Sequence, residues 1–347
     1  MNRILMPLAA GYKFGIALRD VAYRKGWFRI NRLSRPVVSI GNLTVGGTGK
    51  TPLVAHLADR LLALGWKPSI LSRGYGRRSG AELIAVEPAP GRAPDPREIG
   101  DEPALLARKL PEVPIVVGSD RYHAGRLAES RFGVDIHVLD DGFQHLALAR
   151  DVNIVAVDST HNLAQETLLP AGRLREPLAA LERAHFVVLS RTELGTVHNV
   201  QGLLTKTNPH FKIFWSVTRL ARIFEVGRNT YDEPNAWKGR RVLAFCGIGN
   251  ARAFFDDARH WGLSVVAEKA FRDHHIYTRA ELDRLGENAH AAGASALITT
   301  EKDIMNLPRE WKPQLPLGAC VIHAELREPE AFETALFERL KSAKESH

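Results

Sequence analysis

The chain has 347 residues, of which 45% are apolar and 25% charged, a composition typical of a globular protein long enough for two domains. Its two cysteines, Cys246 and Cys320, are too few for a disulfide framework or a cysteine-based metal site, so we expect a reducing compartment. The formal net charge of +8 requires a closer look, because strong basicity can indicate a nucleic-acid partner.

Nearly all of this charge lies in one arm at the start of the chain. Residues 1–35 hold eight basic residues and a single acid, Asp20, so they carry +7 of the total. The rest of the chain is almost neutral, which argues against a nucleic-acid-binding body. We therefore expect no nucleic-acid partner.

The same arm has the apolar spacing of a helix. Its apolar residues recur mostly every three or four positions, with an interruption at Arg19. Such a helix either lies in a membrane interface, attracted by anionic lipid, or packs on the protein's own core. It is not a spanning helix, because no uncharged run reaches about 18 residues. The stripe consists of Leu5, Leu8, Tyr12, Ile16, Tyr23 and Trp27.

Short apolar runs then alternate with helical patterns, which predicts a parallel sheet with crossover helices. The predicted strands of the first half are 36–40, 68–72, 114–118, 135–140, 153–158 and 185–190, and the predicted helices are 51–64, 101–110 and 121–131. Residues 208–238 read as a short β connector. A second alternating block follows, with strands at 241–247 and 295–300 and helices near 250–260 and 278–292.

The stretch TVGGTGKT, residues 44–51, connects the first strand to the first helix of this sheet. Glycines allow backbone N–H groups to converge on phosphate oxygens, a lysine reaches the β- and γ-phosphates, and a hydroxyl holds Mg²⁺. Thr44 stands where the common form of this loop has its first glycine. The predicted nucleotide-binding residues are Thr44, Val45, Gly46, Gly47, Thr48, Gly49, Lys50 and Thr51.

The fold class is therefore α/β: a P-loop NTPase-like parallel-sheet domain and a second, smaller α/β domain, joined by the β connector and preceded by an amphipathic helix. We predict the boundaries 1–35 for the basic helix, 36–207 for the P-loop domain, 208–238 for the connector and 239–347 for the second domain.

An acid at the end of an apolar strand is the expected partner of the loop in positioning Mg²⁺. Asp140 and Asp141 follow the run IHVL, and neighbouring strand residues point to opposite faces, so we expect one of the two to contact the metal. The alternative is a solvated acidic turn. A guanine-reading motif is missing, since TEKD at 300–303 has its lysine one position too late, and ATP is favoured as the nucleotide.

Further polar clusters have simpler alternatives. Asp101 and Glu102 of GDEP can serve as a helix cap and a first-turn acid, and the two histidines of DHH (273–275) can be solvated.

Seven motifs, taken in order, resemble the tetraacyldisaccharide 4′-kinase family of Gram-negative bacteria over nearly the whole chain. They are GNLTVGGTGKTP (41–52), SRGYGR (72–77), GDEP (100–103), LDDGFQH (139–145), LPAGRLREP (169–177), FRDHHIY (271–277) and TTEKD (299–303). The resemblance implies transfer of the γ-phosphoryl group of ATP, with Mg²⁺, to the 4′-hydroxyl of a tetraacylated glucosamine disaccharide 1-phosphate. The product is lipid IVA of lipid A biosynthesis, formed at the cytoplasmic face of the inner membrane by a peripheral, monotopic enzyme.

The resemblance also implies roles for individual residues. Asp101 would be the catalytic base, His274 its helper, and Lys50 a ligand of the nucleotide phosphates. Thr51, Asp140, Asp141 and Glu176 would surround the metal. Asn42, Arg73, Tyr75, Arg121, Gln144 and His145 would bind substrate or shape the site.

Two consequences follow if the resemblance holds. Asp101 and His274 belong to different predicted domains, so pairing them requires the domains to close over the substrate, which also excludes water. The acyl chains of the substrate stay in a bilayer, which favours an anionic membrane surface as the partner of residues 1–35. The rival functions are a P-loop ATPase that couples hydrolysis to a conformational change and a nucleic-acid-binding protein that uses the basic arm.

Overall fold

A computed structural model describes residues 5–90, 94–195, 197–308 and 310–345. The helices are α1 (Met6–Arg24), α2 (Lys50–Ala63), α3 (Pro96–Ile99), α4 (Asp101–Lys109), α5 (Arg121–Phe132), α6 (Val197–Thr207), α7 (Ala251–His260), α8 (Arg279–Ala291) and α9 (Pro329–Glu345). The strands are β1 (Val37–Gly41), β2 (Pro68–Ser72), β3 (Leu83–Val86), β4 (Ile115–Gly118), β5 (Ile136–Asp140), β6 (Val152–Asp158), β7 (Phe186–Ser190), β8 (Lys212–Glu225), β9 (Thr230–Asp232), β10 (Arg241–Cys246), β11 (Ser264–Ala270), β12 (Ala296–Thr300) and β13 (Leu317–Leu326).

These strands form one 13-stranded sheet in the order β11-β10-β12-β13-β8-β7-β6-β1-β5-β2-β4-β3, with β9 paired to β8. The pairs are parallel except where β3 meets β4, β9 meets β8 and β13 meets β8. The prediction of an α/β class with a mostly parallel sheet is confirmed.

The long strand β8 belongs to both halves of this sheet. Its first residues, 212–215, pair in parallel with β7, and residues 216–225 run antiparallel to β13. The segment predicted as a connector therefore contributes a continuous hydrogen-bonded ladder between the halves. The predicted domain boundaries themselves stay a prediction.

Alternation along the strands places helices on both faces of the sheet. In the first half, Val38 and Ile70 point into a core shared with Leu57 of α2, and Val37 and Leu71 point into a second core. Helix α5 covers that second core. Helix α9 packs through Phe332, Leu336 and Leu340 on the core of α2, so the last helix returns to the first half.

The second half repeats this arrangement around β10 and β12. Helix α7 covers one face through Phe254 and Phe255, and α8 covers the other through Leu282 and Leu285. The loops after the carboxyl ends of β1, β2, β5 and β10 line a common cleft. This is the edge at which open α/β sheets bind ligands.

Helix α1 differs from its prediction in the face that it buries. The face with Ile16 and Arg19 packs on the protein: Ile16 is buried, and Arg19 forms an ion pair with the buried Glu176. A second apolar stripe, Phe14, Leu18 and Val21, points outward. Of the predicted stripe, Ile16 is buried, whereas Leu8, Tyr12 and Trp27 are exposed, so the stripe does not form a single inward face. Arg19, the predicted interruption, turns inward because it has a carboxylate partner there. Among the described helices, none combines the length and apolar character needed to cross a membrane.

Candidate active site

The loop between β1 and α2 has the backbone that its glycines predict. Gly46 and Gly49 have φ values of 106° and 79°, in the region where residues with a side chain are strained. Behind the loop, the buried Asn42 donates to the carbonyl of Thr44 at 2.7 Å and to the hydroxyl of Thr48 at 2.9 Å. The loop is thus held in shape from its buried side, and its remaining residues line the cleft.

Two other segments fix the outer part of this loop. The backbone N–H of Val45 donates to the carbonyl of Arg173 at 2.8 Å, and the Arg173 guanidinium donates back to the carbonyl of Val45 at 3.0 Å. From the second half, Gly249 approaches so closely that a Cβ on it would lie 2.7 Å from the Cα of Gly46. The phosphate loop is therefore also a contact between the two halves.

Lys50, at the start of α2, makes an ion pair with Asp141. The ammonium lies 3.0 Å from the Asp141 carboxylate, which also accepts from Arg175 at 2.7 Å. Burial would raise the pKa of Asp141, but the charges of Lys50 and Arg175 outweigh it and hold the pKa well below its usual range. This carboxylate is ionised and already balanced by two cations.

Asp140 has the opposite environment. It is buried and accepts one hydrogen bond, from Ser72 at 3.2 Å. Burial, followed by repulsion from Glu102 and Asp141, raises the pKa of Asp140 to about 7. A divalent cation would relieve this crowding of carboxylates, and Mg²⁺ commonly takes only one or two protein carboxylates together with substrate phosphates. The crowded Asp140 carboxylate therefore fits a magnesium ion, and Asp141 and Thr51 line the same cavity.

Glu176, the fourth predicted metal ligand, lies in a different setting. Its buried carboxylate is paired with Arg19 and with Arg183 at 2.5 Å. Gln144 also donates to it, at 3.5 Å. Within the part of the chain that the structure describes, no group of three or more His, Cys, Asp or Glu side chains is close enough to hold a metal. The structure thus does not bring Glu176 together with the two aspartates.

Asp101 and His274 meet across the cleft. The Nδ1 of His274 lies 2.8 Å from Oδ2 of Asp101, although 173 residues separate them in the chain. Burial would raise the pKa of Asp101, but the hydrogen bond with His274 and the charge of Lys302 lower it. The same hydrogen bond raises the pKa of His274 above its ordinary value. Both shifts favour an ion pair, with Asp101 ionised and His274 protonated.

The members of this pair differ in their access to the cleft. His274 lines the cavity beside Tyr75, whose ring centroid is 5.2 Å from the imidazole. Asp101 is only 6% exposed and is not among the described residues that line the cavity. A small group entering the cavity thus meets His274 first.

The other predicted substrate residues surround the same cavity, which has a volume of about 870 Å³. Arg73, Tyr75, Arg121, Gln144 and His145 line it, and Asn42 supports it from behind the phosphate loop. Burial and the charges of Arg121 and Arg150 lower the pKa of His145 to about 4, so its imidazole is neutral at pH 7. Buried polar atoms of Arg121 (Nε) and Gln144 (Oε1) have no protein partner among the described residues.

No role was predicted from the sequence for several residues of the site. Arg175 balances Asp141, Arg173 holds the phosphate loop, and Lys302 lies 3.3 Å from Glu102 and 3.7 Å from Asp101. Arg173 and Arg175 belong to the LPAGRLREP motif and Lys302 to TTEKD. Their place in these motifs was the signal that could have identified them as site residues. Their contacts could not be inferred from motif spacing, because the partner residues are more than 30 positions away.

Comparison with known proteins agrees with the geometry. A family profile described as tetraacyldisaccharide-1-P 4′-kinase matches residues 1–341. The chain is 42% identical over 332 residues to the tetraacyldisaccharide 4′-kinase of Koribacter versatilis, covering 94% of this chain and 95% of that protein. It is 40% identical over 336 residues to the enzyme of that name from Geobacter sulfurreducens, covering 97% and 93%.

A solved structure is similar over the same length. It is the LpxK of Aquifex aeolicus, described as an "apo" form in complex with ATP, with 30% sequence identity and a TM-score of 0.73. The match covers 96% of this chain and 98% of that one.

Proposed function

Since the chain belongs to the tetraacyldisaccharide-1-P 4′-kinase family, we propose that it transfers the γ-phosphoryl group of ATP to the 4′-hydroxyl of a tetraacylated glucosamine disaccharide 1-phosphate, giving lipid IVA in lipid A biosynthesis. The observation that carries the proposal is the Asp101–His274 contact of 2.8 Å beside a cavity that the phosphate loop also lines. One cavity thus offers a site for a triphosphate and a proton acceptor for an alcohol.

We propose that the loop 44–51 binds the nucleotide. Its backbone N–H groups and the Lys50 ammonium hold the phosphates of ATP, and the dipole at the start of α2 favours their negative charge. Lys50 is paired with Asp141 without nucleotide, and a triphosphate competes for the same ammonium. Thr51 and the aspartates Asp140 and Asp141 would hold Mg²⁺, which supplies neutralisation of charge on the transferring group.

At the acceptor end, the Asp101–His274 pair takes the proton of the 4′-hydroxyl. The alcohol oxygen forms a bond to the γ-phosphorus while the bond from that phosphorus to the ADP oxygen breaks, and ADP leaves with the electron pair. Following the family resemblance, Asp101 is the base, and the lowered pKa keeps it ionised and ready to accept. Arg73, Arg121 and Tyr75 orient the disaccharide in the cavity.

The proposed membrane-binding surface consists of α1 and the residues that follow it. Phe14, Trp27 and Phe28 are 71%, 69% and 51% exposed, far more than aromatic side chains usually are. Exposed cations, including Lys13, Lys25 and Arg29, lie among them. We propose that this surface docks on anionic lipid, where the acylated substrate resides, at the cytoplasmic face of the inner membrane.

The test is to incubate the purified protein with MgATP and the tetraacylated disaccharide 1-phosphate in detergent, and to identify the lipid product by mass spectrometry and ³¹P NMR. We expect a product heavier by one phosphate, with a new phosphomonoester at the 4′-position. Lys50→Ala, which keeps the cavity but removes the ammonium, should abolish it. An unmodified lipid under conditions where ATP is consumed would overturn the proposal and favour an ATPase.

A further inference from the structure

The TTEKD segment, residues 299–303, is a motif to which the proposed mechanism gives no role. It begins with the last two residues of β12 in the second half and reaches the cleft beside α4 of the first half. Its lysine has the wrong position for reading guanine, and its two acids are buried. A segment of five consecutive polar residues at the edge of a reaction site requires another explanation.

Lys302 points at the two acids that begin α4. Its ammonium lies 3.3 Å from the Glu102 carboxylate and 3.7 Å from Oδ2 of Asp101, and the lysine side chain is only 19% exposed. Oδ2 is the same oxygen that meets Nδ1 of His274, while Oδ1 accepts the backbone N–H of Glu102 at 2.9 Å. Both oxygens of Asp101 are therefore held in place. From the second half, Asp101 is approached by the His274 imidazole and by the positive charge of Lys302.

Asp303 supports the backbone that carries His274, the other member of the pair. Its buried carboxylate accepts from the backbone N–H of Gly247 at 2.7 Å and from the hydroxyl of Tyr277 at 2.7 Å. The carbonyl of Gly247 in turn accepts from the backbone N–H of His274 at 3.0 Å. His274 has a φ of 58°, so its backbone needs such support to stay in place.

Gly247 fits this arrangement for steric reasons. A Cβ on it would lie 2.8 Å from Cβ of His275 and 2.9 Å from the carbonyl of Arg272. The turn after β10 and the DHH loop therefore touch at their backbones, and Asp303 joins both.

We propose that the TTEKD segment positions the Asp101–His274 pair, with Lys302 holding Asp101 and Asp303 holding the loop that carries His274. The inference rests on the proposed function, because it assigns a role in the proton transfer described there. Lys302 is a positioning residue: it acts through Asp101 and not on the nucleotide.

The direct test compares Lys302→Met with Lys302→Arg and with a matched control, Lys109→Met. Lys109 also crosses between the halves to this segment, 2.7 Å from Glu301, but it does not contact Asp101. We expect kcat of Lys302→Met to fall by about 10²-fold, the cost of a misplaced reacting group, with the KM for ATP near the wild-type value. Lys302→Arg should recover most of the loss, and Lys109→Met should not reproduce it.

Two further readouts separate positioning from a general loss of structure. The acid limb of the pH–kcat profile should move to higher pH in Lys302→Met, because the removed charge favours ionised Asp101. In an Asp101→Asn background, Lys302→Met should add little further loss, as expected for residues that act as a unit. A raised KM for ATP with unchanged kcat, or additive losses, would overturn the proposal.

A measurement that does not require catalytic turnover tests the positioning role of Lys302 separately from the proposed kinase function. The groups around the His274 imidazole are Asp101, Asp273, Tyr75 and Lys302. In an NMR titration of labelled histidine, Lys302→Met should shift the His274 midpoint to higher pH, and Lys109→Met should leave it in place. An unmoved midpoint in Lys302→Met contradicts the positioning role, whereas a wild-type protein without kinase activity contradicts only the proposed function.

Discussion

Asp101 is the residue on which the proposed chemistry depends, and its surroundings explain how a buried carboxylate can stay ionised. Burial opposes the charge, and His274, Lys302 and the N–H of Glu102 together reverse that effect. His274 lines the cavity and Asp101 does not, so substitutions of the two residues should have different effects on catalysis.

Replacing each member of the pair distinguishes their roles. If Asp101 takes the proton, Asp101→Asn should lower kcat by about 10²–10⁴-fold, the usual contribution of a general base, and His274→Gln should lower it less. Steady-state assays at saturating ATP and lipid measure both. Glu98→Gln, an exposed acid three residues away, is the control and should keep wild-type activity. A larger loss in His274→Gln would make His274 the proton acceptor.

The pair should also make stability depend on pH. The pKa of Asp101 is lowered from 3.8, so its contribution is present above pH 3.8 and is lost as pH falls through the lower folded value. The pKa of His274 is raised from 6.5, so its contribution is complete below pH 6.5 and is lost as pH rises through the higher folded value.

The difference in unfolding free energy between wild type and His274→Gln should therefore be largest between these limits, at about 1–3 kcal/mol for a charge-assisted hydrogen bond. Urea unfolding from pH 3 to pH 9 measures this difference. A difference that does not change over this range would show that the pair does not titrate as described.

At the scale of elements, Gly100 sets the direction in which α4 enters the site. Its φ is 98°, and a Cβ would lie 2.9 Å from the carbonyl of Tyr75. The residue directly before Asp101 therefore touches the SRGYGR turn, and only glycine fits there.

Gly100→Ala should destabilise the protein by about 1–3 kcal/mol, the usual cost of such backbone strain, and should also lower kcat because Asp101 moves. Gly133→Ala is the matched control, since Gly133 also has a positive φ, of 60°, but has nothing within 4 Å of its would-be Cβ. Thermal unfolding and kinase assays are compared for both. If both variants lose stability and both keep kcat, Gly100 does not position Asp101.

Most of the elements could be predicted because their signals are local. The runs that gave β1, β2, β5 and β7 are short, apolar and completely buried, as expected for parallel strands covered on both faces. Strand β3 was missed because Leu83–Val86 is only half-buried and lies at the sheet edge. The predicted connector contains the single long strand β8, since no turn residue interrupts Lys212–Glu225.

The site was predictable where chemistry is carried by a motif and not where it depends on distant contacts. The loop 44–51 is readable from residue type, whereas the catalytic roles of Asp101 and His274 came only from the family resemblance. The environment of Glu176 was not readable, because its partner Arg19 comes from α1, 157 residues away. The burial of the α1 face that carries Arg19 was not readable for the same reason, since that face contacts Glu176.

At the scale of the whole molecule, the cavity lies between halves that are tied together by buried charges. Arg191, just after β7, donates to Asp158 at 2.7 Å and to Asp257 of α7 at 3.2 Å. With the Gly46–Gly249 approach and the Asp101–His274 pair, this network joins the two halves at several places around the cavity. We expect these contacts to help the cleft exclude water when both substrates are bound, which a kinase needs in order to avoid hydrolysing ATP.

The exposed stripe of α1 is expected to determine membrane binding. Changing Phe14, Leu18 and Val21 together to Ser should weaken binding to anionic vesicles by about tenfold or more, because burying one such side chain is worth about 1.5–3 kcal/mol. Flotation with vesicles measures the effect. Leu64→Ser with Tyr231→Ser, at exposed apolar positions elsewhere, is the control and should bind like wild type. Equal flotation of all three proteins would exclude the stripe as the docking surface.

The most direct test of the account is the ratio of ADP released to glycolipid phosphorylated, measured in the same reaction by a coupled ADP assay and mass spectrometry. Delivery of the γ-phosphoryl group to a sugar alcohol and not to water predicts about one ADP per phosphorylated lipid, and negligible ADP when the lipid is omitted. ADP formation at the same rate with and without lipid, with the lipid unchanged, would contradict it.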